Sequence, residues 1–74
     1  MHDDIIQCFC DAVASHDVNI DRALVNNNTV LRHYLDSMGI LEFLLLLEDK
    51  GFNIVNIDVS TINTIDDLYK IFNV

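Results

Sequence analysis

The stretch that decides the fold is Asp36-Ser37-Met38-Gly39-Ile40-Leu41-Glu42-Phe43-Leu44-Leu45-Leu46-Leu47-Glu48-Asp49-Lys50-Gly51. Its spacing predicts a helix over 37–50. Asp36 or Ser37 can cap the first free backbone N–H groups. Lys50 lies in the last turn, and Gly51 suits the position just past a helix end. At about 100° per residue, Ile40, Phe43, Leu44 and Leu47 fall within one third of the wheel and form the core stripe. The opposite side carries Met38, Glu42, Leu45 and Asp49, with Leu41 and Glu48 on one flank. A solvent face is normally polar, yet this one mixes Met and Leu with carboxylates. Apolar residues rimmed by charge are what a partner-binding surface looks like. A helix buried on two sides of a tight bundle produces the same pattern, and periodicity alone does not separate the two.

Working outward, residues 3–15 form an amphipathic helix. Ile5, Ile6, Cys8, Phe9, Ala12 and Val13 share one side, while Asp3, Asp4, Gln7 and Asp11 take the other. Acidic residues in the first turn suit the helix dipole. Residues 16–36 lack clean periodicity and read as a long loop packed over the core, with a helical turn near Val30 to Tyr34. A loop this long in a small domain is usually functional. Beyond the second helix, Ile54 to Ile57 is a short apolar stretch, and Asp58 to Ile62 suggests one turn of helix. Thr64 opens a last helix, with Asp67 placed for a capping box. Ile65, Leu68, Tyr69 and Phe72 form its stripe. No alternating strand pattern is present. The expected fold is all-α: a small bundle of three main helices plus a short one, with a long connection between the first two.

Length and charge bound the function. The 74 residues suffice for one small domain, 1–74, and 51 % hydrophobic residues supply a core. Twelve acidic residues against four basic ones give a formal charge of −8. That excess argues against nucleic acid, where phosphate neutralisation needs Lys and Arg. It equally argues against anionic membranes, and it favours partners with basic patches. The start, Met1-His2-Asp3-Asp4, is not the cationic opening of a signal peptide, and the run Phe43 to Leu47 is too short to span a bilayer. Cys8 and Cys10 stand two apart. On a helix they point to different sides, so they do not bridge one another, and the spacing is not that of a zinc pair. Free thiols imply a reducing, cytoplasmic home.

Ser37 sits among unpaired N–H groups at the positive end of the helix dipole, where a phosphate attached to it is stabilised. Plain N-capping is the commoner role for Asp-Ser before an apolar helix. The motif Asp36-Ser37-Met38, heading an acidic helix in a small acidic chain, resembles the Asp-Ser-Leu signature of the acyl carrier proteins. The resemblance covers nearly the whole chain. It includes the Gly51-Phe52-Asn53-Ile54 connection and the Thr64-Ile65-Asp66-Asp67-Leu68 opening of the last helix.

That resemblance implies a role for each matching residue. Ser37 matches the serine that carries covalent 4′-phosphopantetheine, and Asp36 matches the motif aspartate at the magnesium-dependent transfer site. Met38, Leu41 and Leu45 match apolar points gripped by partner enzymes. Glu42, Glu48 and Asp49 match acidic points that meet Arg and Lys there. The implied partners are a phosphopantetheinyl transferase, an activating, adenylating enzyme that loads the arm, and downstream synthases or transferases with basic patches. The chain itself is expected to be a monomer and not an enzyme. It departs from many fatty-acid carriers at Gly39, where they have an acid. Asp-Ser-Met-Gly instead resembles D-alanyl and some aminoacyl carriers. If a cargo chain is sequestered, its expected place is the bundle interior near Leu44, Leu47, Ile57, Ile62 and Leu68, whereas an aminoacyl cargo would stay outside.

The rival from another class is an acidic helical adaptor that needs no cofactor on Ser37. A small acidic inhibitor also accounts for the charge, but not for the serine. His2, His16 and His33 show no metal spacing, and the acids at Asp58, Asp66 and Asp67 read as capping and solvated charges, not a calcium loop. No metal is expected.

Overall fold

The computed structural model describes residues 2–16 and 18–74, with only the backbone of His2; Met1 and Asp17 lie outside them. Among the described residues it is all-helical. Helix α1 spans His2–Ser15, α2 Ser37–Asp49 and α3 Ile65–Phe72. Single 3₁₀ turns occur at Arg22–Leu24, Leu31–His33 and Val59–Thr61. The last two stand where helical turns are expected, near Val30 to Tyr34 and Asp58 to Ile62. The first was not legible, because its residues, Arg22, Ala23 and Leu24, bury nothing. Its local cause is Asp21, whose carboxylate accepts from the Ala23 N–H at 2.9 Å.

The bundle core is built from one stripe of each helix. Ile5, Phe9, Ala12 and Val13 of α1 meet Ile40, Phe43 and Leu47 of α2 and Ile65 and Leu68 of α3, all at 0 % exposure. Phe9 packs edge-on against Phe43, with ring centroids 5.6 Å apart. Burial of each such ring contributes about 1.5–3 kcal/mol. Leu47, Ile62 and Leu68 are fully buried, Leu44 nearly so, and Ile57 is partly buried against them. Cys8 is buried in this core, Cys10 packs on its edge, and both are free thiols. Burial pushes both thiols above their ordinary pKa.

Helix ends follow local chemistry. Helix α2 stops at Asp49, with Lys50 as its cap. Gly51 adopts a left-handed φ of 98° and donates to the Glu48 carbonyl, while the Phe52 N–H reaches back to Leu47 O. These two bonds form a Schellman stop, and Phe52 supplies the apolar contact that accompanies it. Helix α3 opens with the expected capping box. Thr64 Oγ1 accepts from the Asp67 N–H, and the Asp67 carboxylate accepts from the N–H groups of Thr64 and Asn63. These bonds hold the Asp67 carboxyl below the usual range. Helix α3 ends at Asn73, which adopts the left-handed conformation that asparagine tolerates.

The long connection is pinned rather than loose. Val30 bridges to Thr64, and Leu31 N–H donates to Asn63 O at 2.8 Å. Ile65 N–H reaches Thr29 O and Asp66 N–H reaches Asn27 O. The start of α3 therefore holds residues 27–31. From there Leu31 and Leu35 drop into the core, and the chain enters α2 at Asp36. No helix among the described residues is long and apolar enough to cross a membrane.

Candidate functional site

The head of α2 separates two residues that sequence alone left interchangeable. Asp36 is the N-cap: it has extended backbone, and its Oδ1 accepts from the Gly39 N–H at 2.8 Å. Ser37 is the first helical residue. It is exposed, and its hydroxyl forms no hydrogen bond among the described residues. The capping duty that would explain a serine here is carried by its neighbour. Ser37 presents an exposed hydroxyl at the positive end of a 13-residue helix.

The outer face of α2 is apolar and open. Met38 is 70 % exposed, Leu41 47 % and Leu45 57 %, all on the side away from Ile40, Phe43 and Leu47. Helix α2 carries no Lys or Arg between Ser37 and Asp49. Its charges are Glu42, Glu48 and Asp49, the last two fully on the surface. Glu42 differs from them. Its Oε1 accepts from Ser15 Oγ at 2.9 Å, and its Oε2 lies 2.8 Å from His16 Nε2. The end of α1 thus clasps this carboxylate and joins the same surface. The clasp was not legible in the sequence, because the partners are 26 and 27 residues apart.

Gly39 has a structural reason. A Cβ there would lie 2.9 Å from Leu35 Cδ2, 3.1 Å from Leu35 Cβ and 3.4 Å from His16 Nε2. The buried backbone at Gly39 lets the entering chain and the end of α1 close over the first turn of α2.

Beside Ser37 lies an open groove of about 470 Å³, between α2 and the 3₁₀ turns at Leu31–His33 and Val59–Thr61. Arg32, Ser37, Leu41, Asp58, Val59 and Ser60 line it. Arg32 Nη2 donates to Val59 O at 3.0 Å, tying the two turns together. Asp58 Oδ1 accepts from the Ser60 hydroxyl and from the Ser60 amide, and these bonds hold its carboxyl below the usual range. Nothing in the sequence singles out Arg32, which reaches this groove only through tertiary packing. A larger hollow of about 650 Å³ lies between α1, the 25–27 segment and α3. It includes no residue of α2; Tyr69 and Lys70 are among its lining residues.

These residues fit a covalently attached phosphopantetheine. The serine hydroxyl is uncommitted and reachable, the space beside it is open, and one cation stands in the wall of that space. No group of three His, Cys, Asp or Glu side chains converges on a metal position among the described residues. The chain matches no protein-family model, no curated protein and no solved structure.

Proposed function

We propose that the chain is a phosphopantetheine-dependent carrier protein. In this reading Ser37 is the attachment point and the outer face of α2 is the surface that partner enzymes grip. The observation that carries the reading is the division of labour at the head of α2. Asp36 satisfies the backbone, and Ser37 keeps a free, exposed hydroxyl with no structural task.

Ser37 Oγ attacks the β-phosphorus of coenzyme A on a phosphopantetheinyl transferase. A new P–O bond forms, the bond to 3′,5′-bisphosphoadenosine breaks, and the serine proton passes to a base of the transferase. Asp36 keeps the first turn formed while this happens. It also has a second carboxylate oxygen available to a magnesium ion brought by the transferase. The attached group supplies a terminal thiol that holds acyl or aminoacyl cargo as a thioester. An adenylating enzyme loads it, and downstream synthases or transferases unload it. The chain performs no catalysis itself.

Partner binding has to be transient. Met38, Leu41 and Leu45 supply a small apolar contact, and Glu48 and Asp49 speed encounter with basic patches without demanding high affinity. The clasped Glu42 presents its charge in a fixed position on the same face. Gly39, together with Asp36-Ser37-Met38, favours an aminoacyl or D-alanyl cargo over a fatty-acid one. The packed interior around Leu47, Ile62 and Leu68 agrees with a cargo that stays outside. The two free thiols suit work in the cytoplasm.

Intact mass after incubation with coenzyme A and a broad-range transferase tests the reading. Wild type should gain one phosphopantetheine and Ser37→Ala none, with the helical circular dichroism unchanged. An unmodified wild type would leave the cofactor-free acidic adaptor, which uses the same α2 face and ignores Ser37.

A further inference from the structure

We propose that Arg32 is the anion-holding residue of the groove beside Ser37. There it binds the phosphodiester that joins the serine to its pantetheine arm. The proposal rests on Ser37 being the attachment point and adds to it a seat for the first atoms attached there. Ser37 and Arg32 line the same hollow of about 470 Å³, so a phosphate on Ser37 Oγ opens into a space whose one cation is Arg32.

The guanidinium is held but not neutralised. Its Nη2 donates to the Val59 carbonyl at 3.0 Å, and it forms no ion pair among the described residues. The Asp58 carboxylate in the same groove is turned to the Ser60 amide and hydroxyl. Arg32 therefore keeps donors free, in a planar fork suited to phosphate oxygens, with its position set by one clamp.

The other three cations are placed elsewhere. Arg22 donates to Gln7, Lys70 pairs with Asp66, and Lys50 caps the far end of α2. On a chain of charge −8, this groove sets a cation beside Ser37, although the Asp58 carboxylate also stands in its wall. The remaining lining matches the groups that lie beyond the phosphate in that arm. Leu41 and Val59 offer apolar contact to the branched dimethyl carbon. Ser60 and Asp58 offer oxygens to the hydroxyl and the amide N–H further along. The arm would therefore leave Ser37 along the Val59–Thr61 turn. A solvent-facing contact of this kind favours the docked arm over the free one by a factor of roughly two to five.

The test uses the full chain, labelled with the nitrogen isotope, before and after modification with coenzyme A and a transferase. The mass gain is read first, and its absence in wild type removes both the attachment and this proposal. With the gain in hand, two resonances decide: the Arg32 Nε–Hε signal in apo and holo protein, and the phosphorus signal of the phosphodiester. The Arg32 signal should shift on modification. The phosphorus signal should differ between wild type and Arg32→Gln, and in about 1 M salt the wild-type signal should move to the Gln position. Arg32→Lys should keep part of the shift. An unmoved Arg32 signal with identical phosphorus signals in wild type and Arg32→Gln overturns the proposal while leaving Ser37 as the tether. If Arg32→Gln loosens the fold, the wild-type apo and holo comparison decides alone.

Discussion

Replacing Gly39 by alanine sets two effects of opposite sign against each other. Alanine favours a helix over glycine by about 1 kcal/mol in a helix interior and by less in a first turn. By that measure alone the variant should be more stable. The surroundings of Gly39 reverse the sign. The added methyl would stand 2.9 Å from Leu35 Cδ2 and 3.1 Å from Leu35 Cβ. The δ-methyl can swing only into a packed core, since Leu35 is 3 % exposed. The β-carbon cannot move without its backbone, and that backbone leads straight into the Asp36 cap. Overpacking of this kind costs about 1–3 kcal/mol. The net expectation is a loss of about 1 kcal/mol, a lowering of the melting temperature by about 4–8 °C for a domain of this size. Urea unfolding monitored by circular dichroism measures it, with an expected fall in midpoint of about 0.5–1 M. In a Leu35→Ala background, where the closer contact is gone, the penalty should shrink. An alanine variant as stable as wild type or more so would refute the close-packing argument and return Gly39 to the status of an ordinary weak helix residue.

Three further outcomes are expected. Asp36→Ala leaves the Gly39 N–H without its acceptor and should lower stability by roughly 1 kcal/mol, with Asp36→Ser recovering most of it; equal urea midpoints for wild type and Ala would contradict the cap. The Asp67 carboxyl is held below its unfolded value by the amides of Asn63 and Thr64, so its contribution is present above about pH 4 and is lost as pH falls through the lower folded value. Asp67→Asn should therefore be the less stable protein at neutral pH, and its deficit should close in acid; a deficit independent of pH would sink this account. Glu42→Lys removes the carboxylate held by Ser15 and His16, an exposed pair that contributes at most about 1 kcal/mol, and reverses a charge on the α2 face. It should slow loading by an adenylating partner far more than it lowers the melting temperature, and an unchanged loading rate would remove Glu42 from the recognition surface.

The uncommitted hydroxyl of Ser37 and the cation of Arg32 came to light by different routes. Ser37 was visible because it belongs to a local pattern: a polar pair, then an apolar stripe every three or four residues. Which member of the pair caps the helix was not visible. Asp and Ser are both good caps, and only the backbone conformation at Asp36 assigns the role. Glu42 read as one acid among several on an outer face, and its clasp by Ser15 and His16 depends on how α1 packs along α2.

From its order of residues alone, this chain determines three helical segments, their inward faces, the capping box of α3 and the glycine stop of α2. All of these arise from interactions within a few positions along the backbone, where periodicity and side-chain reach are set by covalent geometry. Tertiary structure alone decided which surfaces meet. It placed Arg32 in the groove of Ser37, closed Leu35 and His16 over Gly39, and hung the long connection on the entrance to α3 through the bonds of Thr29 and Leu31. Those contacts join residues far apart in the chain, and their positions come from packing the three apolar faces into one core.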